Sequence, residues 1–516
     1  MTALDLLLSR ARAIASGEDQ WAHSDLRAAL VSRIGAGNDP LGEQYSAIRS
    51  AADRRAQGVT LTPQRVVKAM VDWAKKEAAA LGSPQRIVDP GAGTGRFTIA
   101  AAAQFPKAEI IAVENNSDLL LLLRANLRAI ELDSRVKVLG EDFRALRLEP
   151  ITGPTLFIGN PPYVRHHGIS PEWKSWYAQA CARHGISASR LAGLHLHFFA
   201  RIAEIGKDGD FGCLITAAEW LDVGYGAALR SLLADRLGGT EIHILHPTAE
   251  AFPGTMSTAA ITGFRVGRRP AMLRLRGVDQ PSQLDRLKGG RQIPWKKLRQ
   301  EPKWSILVRG APKPPPGTIE LGELCRVHRG QVTGSNRVWI AGKHALGLPD
   351  RFLRPTITRA KELIKAEPTL EDHRHLARVV DLPGSLDEIE AAERVAVERF
   401  IGWAREVGAA DGYIARHRSP WWAVRLARPA PIVCTYMARR VPAFVRNRAG
   451  AHLLNIAHGI FPRDEFSDDQ LLRLTAVLRA SVRRDQGRTY SGGLTKFEPR
   501  EIERIPISWS DAANAS

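Results

Sequence analysis

From about residue 86 to residue 245 the chain alternates two kinds of hydrophobic spacing. Short, nearly continuous apolar runs rich in Val and Ile occur at 86–88, 109–113, 136–139, 155–158, 212–216 and 241–245. Between them, as in 117–130 and 195–205, apolar residues recur every three or four positions, the spacing of a helix with a buried face. Strands alternating with helices predict βαβ units and a mostly parallel sheet covered on both faces, a doubly wound α/β fold. Ligands of such sheets sit at the C-terminal ends of the strands. Residues 1–55 are rich in Ala and Leu and predict helices, interrupted by a Gly/Asn/Asp/Pro turn at 35–40. Residues 268–311 are basic and poorly patterned, and the run Pro312-Lys313-Pro314-Pro315-Pro316 predicts a linker, because it cannot continue a helix or a central strand. From residue 318 the pattern is mixed and Arg-rich, and no internal repeat is visible. The expected organisation is a helical extension at 1–56, an α/β domain at 57–268, a basic connecting segment with linker at 269–316, and a mixed α+β domain at 317–516.

Composition narrows the class. A chain of 516 residues with 44% hydrophobic and 25% charged residues is not a mainly disordered one. No apolar run approaches the about 18 residues of a membrane span. No basic stretch leads into an apolar block at the start, so no secretion signal is evident. Cys181, Cys213, Cys325 and Cys434 lie far apart, with neither zinc spacing nor a disulfide framework, and a reducing cytoplasm is the expected location. The net charge of +19 is uneven: residues 1–270 hold 31 basic and 27 acidic residues, residues 271–516 hold 42 and 27. So basic a second half suits a polyanionic partner, with a merely solvated basic surface as the open alternative. Residues 421–460 carry six Arg, no acid, and Trp421, Trp422, Tyr436 and Phe444. That mixture suits phosphate contact with base stacking, or equally core aromatics beside exposed arginines.

Candidate chemistry begins at Asp89-Pro90-Gly91-Ala92-Gly93-Thr94-Gly95, where an apolar strand runs into three alternating glycines and a helix follows. The spacing is not that of a dinucleotide fingerprint, and no lysine marks a phosphate loop. Asp89, Gly91, Ala92 and Gly93 are the candidate cofactor residues here. Glu114 ends the second strand about 20 residues on, where an acid suits two ribose hydroxyls. Asp142-Phe143 follows the third strand, where an acid and an aromatic can bond an adenine amino group and stack on its ring. The fourth strand ends in Gly159-Asn160-Pro161-Pro162-Tyr163, with Asn160 65 residues beyond Gly95.

With this tetrapeptide in that place the sequence resembles the gamma-type N6-adenine DNA methyltransferases, the group that includes the TaqI enzyme. The order matches: Thr60-Leu61-Thr62-Pro63 resembles the group's first cofactor motif, and the glycine loop, Glu114, Asp142-Phe143 and Asn160–163 follow. Residues 195–199, 211–221 and Phe252-Pro253-Gly254 sit where the group has its later catalytic motifs. Residues 330–336 resemble the start of its target-recognition domain, and Gly492-Gly493, Lys496-Phe497 and Ile505-Pro506 its closing segment. The resemblance covers roughly residues 58–510 and leaves the first 55 outside. It implies a seven-stranded methyltransferase sheet ending in an antiparallel hairpin, with a C-terminal target-recognition domain across a basic cleft that holds duplex DNA. It implies S-adenosyl-L-methionine as cofactor, held by Thr62, Pro63, Asp89, Gly91, Ala92, Gly93, Glu114, Asp142, Phe143 and Asn160.

The chemistry explains why these residue types belong together. The exocyclic amine of adenine is a poor nucleophile, since its lone pair is delocalised into the ring. It needs acceptors for both hydrogens, which the amide oxygen of Asn160 and the carbonyl of Pro161 can supply. Pro161 and Pro162 bring a fixed φ and no competing N–H. The sulfonium is already an excellent methyl donor, so positioning and preorganised hydrogen bonding are the site's main work. A base in a duplex must be flipped out to reach such a site, at a cost on the order of a few kcal/mol. By resemblance Tyr163 stacks on the extruded adenine. Phe252 is the candidate for the opposite face, or else a core aromatic near a strand end.

His166 and His167 lack a third ligand at a suitable spacing, so no metal is expected. No nuclease core of spaced acids and lysine is visible, so the chain is expected to modify and not to cut, as one chain acting alone. A separate restriction endonuclease is compatible with that. The expected function is site-specific adenine methylation of double-stranded DNA, in a restriction–modification system or as an orphan enzyme. Two alternatives stay open: the same catalytic fold acting on RNA or on a protein glutamine, or a DNA-recognition subunit without catalysis.

Overall fold

The computed structural model describes residues 2–17, 25–50, 53–54, 57–246, 249, 251–252, 258–309, 317–490 and 494–509. The chain forms two compact units, Met1–Pro312 and Lys313–Ser516. Among the described residues no helix is long and apolar enough to cross a membrane.

Among the described residues the first unit opens with the helices α1 (Ala3–Ser16), α2 (Asp25–Gly35) and α3 (Pro40–Ile48), and α4 (Gln64–Leu81) leads into the sheet. Strands and helices then alternate: β1 (Arg86–Pro90), α5 (Arg96–Gln104), β2 (Glu109–Val113), α6 (Ser117–Ala129), β3 (Val136–Leu139) and β4 (Thr155–Gly159). Next come α7 (Pro171–Ala182), α8 (Leu194–Ile205), β5 (Phe211–Ala217), α9 (Ala227–Asp235), β6 (Gly239–Leu245), β7 (Ala259–Arg265), β8 (Met272–Val278) and β9 (Arg291–Pro294). The sheet runs β3-β2-β1-β4-β5-β7-β6-β8-β9. Strands β1 to β5 pair in parallel, and β7 lies antiparallel between β5 and β6. The strand order turns back at β1/β4, the place where such sheets open a ligand crevice at the strand ends.

Alternation along each strand feeds two cores. Val88, Ile111, Val113 and Phe157 pack with α7, α8 and α9 on one face. Ile87, Ile110, Ala112, Leu156 and Ile158 pack with α4 and α5 on the other. Successive side chains of a strand point to opposite faces, so strands apolar at every position require cover on both.

Two features depart from the expected architecture. The sheet has nine strands, not seven, because the segment read as a basic connection supplies β8 and β9. Strand β8 pairs in parallel with β6, and β9 closes antiparallel on β8. Leu273 and Leu275 are fully buried in one core, while Arg274 and Arg276 point to the other side and only Val278, at the end of the strand, is buried there. Trp304 packs edge-on to Trp220 and Trp295 and ties residues 295–304 to the same core. The proline run at 312–316 lies outside the described residues.

The N-terminal extension is helical as expected, and it is built into the unit. Leu7, Ala11 and Ile14 of α1, with Leu30, Ile34, Leu41 and Tyr45, cover Leu119, Leu122, Ala125 and Ala129 of α6. The other side of α6, Leu123 and Leu127, faces the sheet. A helix with five consecutive leucines is apolar nearly all round and must be buried on two sides; the extension supplies the second.

The second unit is mixed α+β. Its five-stranded sheet has the order Cys325–Arg329, Ala457–Pro462, Ile432–Thr435, Phe444–Asn447, Thr369–Leu370. The helix Asp468–Ser481 packs Leu471, Leu474 and Leu478 into the core that holds Ile432, Phe444 and Ile460. A second core gathers Phe400 and Ile401 of the helix Ala391–Glu406 around Trp339 and Val424.

Candidate active site

The ends of β1, β2 and β4 meet at one place. Gly91, Gly93 and Gly95 all have positive φ, at 72°, 59° and 97°, which a side chain would strain. At Gly91 a Cβ would also stand 3.2 Å from Pro162 Cδ, so the glycine lets the loop approach the tetrapeptide. The Gly91 and Ala92 N–H groups both donate to the Val113 carbonyl, fixing the loop to β2. Glu114 then accepts from the Gly93 N–H through Oε2 and from the Asn116 N–H through Oε1, each at 2.8 Å. Burial pushes the Glu114 carboxyl above its usual range.

Asp89 is fully buried. Its Oδ2 accepts from Thr98 Oγ1 at 2.6 Å, and its Oδ1 has no hydrogen-bond partner among the described residues. That oxygen lies where a Cβ on Gly159 would come within 2.7 Å, beside Asn160. Burial lifts the Asp89 pKa to about 7, against the lowering pull of the Thr98 hydrogen bond.

Asn160 is oriented by residues 60–62. Its Nδ2 donates to the Thr60 carbonyl at 3.1 Å and to Thr62 Oγ1 at 2.9 Å. A carbonyl only accepts, so the amide nitrogen must face it and Oδ1 must face the other way. Tyr163, half-buried, donates its hydroxyl to that Oδ1 at 2.6 Å. Burial pushes the Tyr163 phenol upward, keeping it a donor. Pro161 is buried, Pro162 half-buried, and the Tyr163 N–H donates to the Gly58 carbonyl. Thr62 is buried, and Pro63 starts α4.

Phe143, Asp142 and Phe252 each have protein partners of their own. Phe143 is 2% exposed and stacks on Phe198, with centroids 4.9 Å apart. The aromatic ring presented beside Gly91 is therefore that of Phe198, whose Cε1 stands 3.7 Å from a Cβ built there. Phe198 is itself 4% exposed, so the two rings are buried together as one stack beside the loop. Asp142 is gripped by Arg144, from Nε to Oδ1 at 2.9 Å and from Nη2 to Oδ2 at 2.6 Å. The Arg144 guanidinium lies 3.9 Å over the Trp173 ring of α7. Phe252 is half-buried and packs on the core face shared by Ile215 and Leu245. Pro253, Gly254, Gly492 and Gly493 lie outside the described residues.

The sequence placed His195 and Phe198 within a stretch resembling a later catalytic motif without giving either a role, and it did not point to Arg144. His195 is buried edge-on to Tyr163, with centroids 6.0 Å apart, and burial lowers its pKa to about 4. It is therefore a neutral imidazole, and neither ring nitrogen has a partner among the described residues. Three of the six arginines in 421–460 form ion pairs with acids elsewhere: Arg440 with Glu367, Arg446 with Asp468, and Arg448 with Asp468 and Glu371. Among the described residues no group of three or more His, Cys, Asp or Glu side chains could hold a metal ion.

Two family descriptions match the chain: "Eco57I restriction-modification methylase" over residues 155–251, and "Type II methyltransferase M.Eco57I, C-terminal domain" over residues 313–516. The type II methyltransferase M.XamI of Xanthomonas campestris pv. amaranthicola is 50% identical over 481 residues, covering 93% of this chain and 89% of that protein. The chain belongs to the type II methyltransferases of restriction–modification systems. M.AccI of Acinetobacter calcoaceticus is 21% identical over 90% of this chain and 88% of its own length. Among solved structures, the type IIL restriction-modification enzyme MmeI in complex with DNA shares the fold, with a TM-score of 0.55 at 11% identity over 91% of this chain and 69% of that one.

The methyl donor of these methyltransferases is S-adenosylmethionine, and the residues at the strand ends fit it. The glycine loop leaves room where side chains would clash. Asp89 Oδ1 lacks a donor that an ammonium could supply, and the buried carboxylates Asp89 and Glu114 favour a cation beside them.

Proposed function

We propose that this type II methyltransferase methylates the N6 amine of an adenine flipped out of duplex DNA. The orientation of Asn160 carries the reading. Its Nδ2 is committed to Thr60 and Thr62, so its Oδ1 is a fixed acceptor at the mouth of the loop. The amide oxygen takes one amine hydrogen and the Pro161 carbonyl the other, drawing the nitrogen out of conjugation so that its lone pair can attack. S-adenosylmethionine, when bound, supplies an electrophilic methyl group on a sulfonium. No residue has to be a strong base, because the methylated amine becomes acidic and its proton leaves through these acceptors to water. A rigid amide preorganised in this way acts mainly by orientation and electrostatics.

Tyr163 gives the flipped base a flat face, and its hydroxyl bond to Asn160 holds the ring before the base arrives. Thr62, Pro63, Gly91, Ala92, Gly93, Glu114, Asp142 and Phe143 line the cofactor's place, with Phe198 stacked on Phe143 beside Gly91. Phe252 is the candidate second wall for the base. The unit Lys313–Ser516 serves as the target reader; its excess of basic side chains and the match to a type II methyltransferase C-terminal domain support this. A cytoplasmic enzyme acting as a single chain, with a separate endonuclease guarding the same site, completes the reading.

The test is long-read sequencing of genomic DNA from cells expressing the chain, beside Asn160→Ala. N6-methyladenine in one short motif, absent with Asn160→Ala, is expected. A different methylated base, or a motif that survives the substitution, overturns the reading. Asn160→Ala should keep cofactor affinity within about threefold while losing at least 100-fold in rate, the cost of removing one preorganised hydrogen-bond partner.

A further inference from the structure

The N-terminal helices lie outside the motifs that carry the catalytic reading, yet one of their residues reaches the active site. Asp39, 5% exposed, precedes α3 and caps it through the Gly42 N–H at 2.9 Å. Its Oδ2 also accepts from Thr94 Oγ1 at 2.5 Å and from Arg96 Nε at 2.8 Å, the two residues that flank Gly95. Asn126 of α6 donates to Asp39 Oδ1 at 3.2 Å and to the Thr94 carbonyl at 2.9 Å. The second arm of Arg96, Nη1, donates to the Thr62 carbonyl at 2.7 Å. Thr62 Oγ1 is one of the two acceptors that orient Asn160. A relay of hydrogen bonds through Arg96 and Thr62 therefore joins the extension to the catalytic amide, and the glycine loop hangs on the same carboxylate.

The charge has its own reason. The Arg96 side chain is 17% exposed, beside a loop whose ligand carries a positive sulfonium. Without Asp39 that guanidinium would be a half-buried cation left without its carboxylate, one residue from the loop that receives a cationic cofactor. We propose that Asp39 is a positioning residue of the methyl-transfer site, by which the N-terminal helices hold the glycine loop and the Thr62 anchor of Asn160. The part of this that concerns Asn160 rests on the proposed adenine reading.

A helix cap alone would predict less. Asp39→Asn keeps an oxygen for the Gly42 N–H and nearly the same volume, and removes the charge together with the oxygen that accepts from Thr94 and Arg96. Full-length Asp39→Asn is expected to bind S-adenosylmethionine about tenfold or more weakly by calorimetry and to lower kcat on methylatable DNA by a similar factor, the loss typical of a charge-assisted hydrogen bond. Asp39→Asn with Arg96→Gln should lose less than the sum of the two single losses, because the two residues act as a unit. Arg33→Ala, which breaks the exposed pair with Glu43 in the same extension, should leave both numbers unchanged. Thr94→Val removes only a hydroxyl donor to Asp39 and should shift affinity in the same direction by less; it carries the test if Asp39→Asn does not fold. Wild-type affinity and kcat in Asp39→Asn, or additive losses in the double variant, overturn the proposal. Asn160→Ala in parallel separates the two ideas: if it stays active the adenine reading fails, while cofactor affinity still reports on Asp39.

Discussion

Asp89 carries an unsatisfied carboxylate oxygen inside the protein, which costs stability unless a ligand supplies the missing donor. With its pKa lifted to about 7 by burial, it is mostly protonated in the empty enzyme at mildly acid pH. In the unfolded chain the group ionises near 3.8, so between about 4 and about 7 the native state holds the extra proton and the empty enzyme loses stability as pH rises. A cationic ligand favours the ionised form, so cofactor affinity should rise from pH 5.5 to pH 7, by up to about tenfold per pH unit. Asp89→Asn should bind weakly with no such slope; a flat profile in the wild type would remove the carboxylate from the cofactor site. Glu114 was legible as a site residue for a related reason: an acid ending an apolar strand has few structural uses. Arg144 was not legible, because nothing in the sequence says that Asp142 two residues away holds it in a fork.

At the scale of elements, β1 to β6 could be read because strands buried on both faces are apolar at nearly every position. Strand β8 alternates Leu273, Arg274, Leu275 and Arg276, a period-2 signal hidden in a segment whose basic composition argued for a connection. The role of α1 to α3 was hidden too: Asp39 sits in Asn38-Asp39-Pro40, which has the look of a turn, and its partners are more than fifty residues away. The segment 421–460 shows the opposite error. It contains no acid, but folding brings Glu367, Glu371 and Asp468 to Arg440, Arg446 and Arg448. Arg425 and Arg428 stand exposed, one bonded to the Ser419 carbonyl and the other 5.2 Å over the Phe461 ring. Replacing either by Gln should lower the slope of log affinity against log salt by about 1 for each DNA phosphate that is no longer neutralised. Arg446→Gln and Arg448→Gln should leave the slope alone and lower the melting temperature instead. Equal slopes for all four variants would put the DNA-binding surface elsewhere.

For the whole molecule, the division of labour predicts separable losses. The chain cut after residue 309 should still bind S-adenosylmethionine, since Asp89, Glu114, the glycine loop and the Asp39 pair all lie in the first unit. It should lose sequence-selective DNA binding in a gel-shift assay; retained selectivity would move recognition into the catalytic unit. Where the cut falls matters, because of the two strands past residue 268. A fragment ending there would leave β6 with a bare row of amide and carbonyl groups along its β8 side. It would also strip Leu273, Leu275, Ile293 and Trp304 from the core and leave a hydrophobic flank open beside that row. Such a fragment is a template for joining another copy of itself, and should pass from soluble enzyme to insoluble fibres or inclusion bodies. The basic stretch that looks like dispensable connection is the selvedge that keeps this sheet from growing.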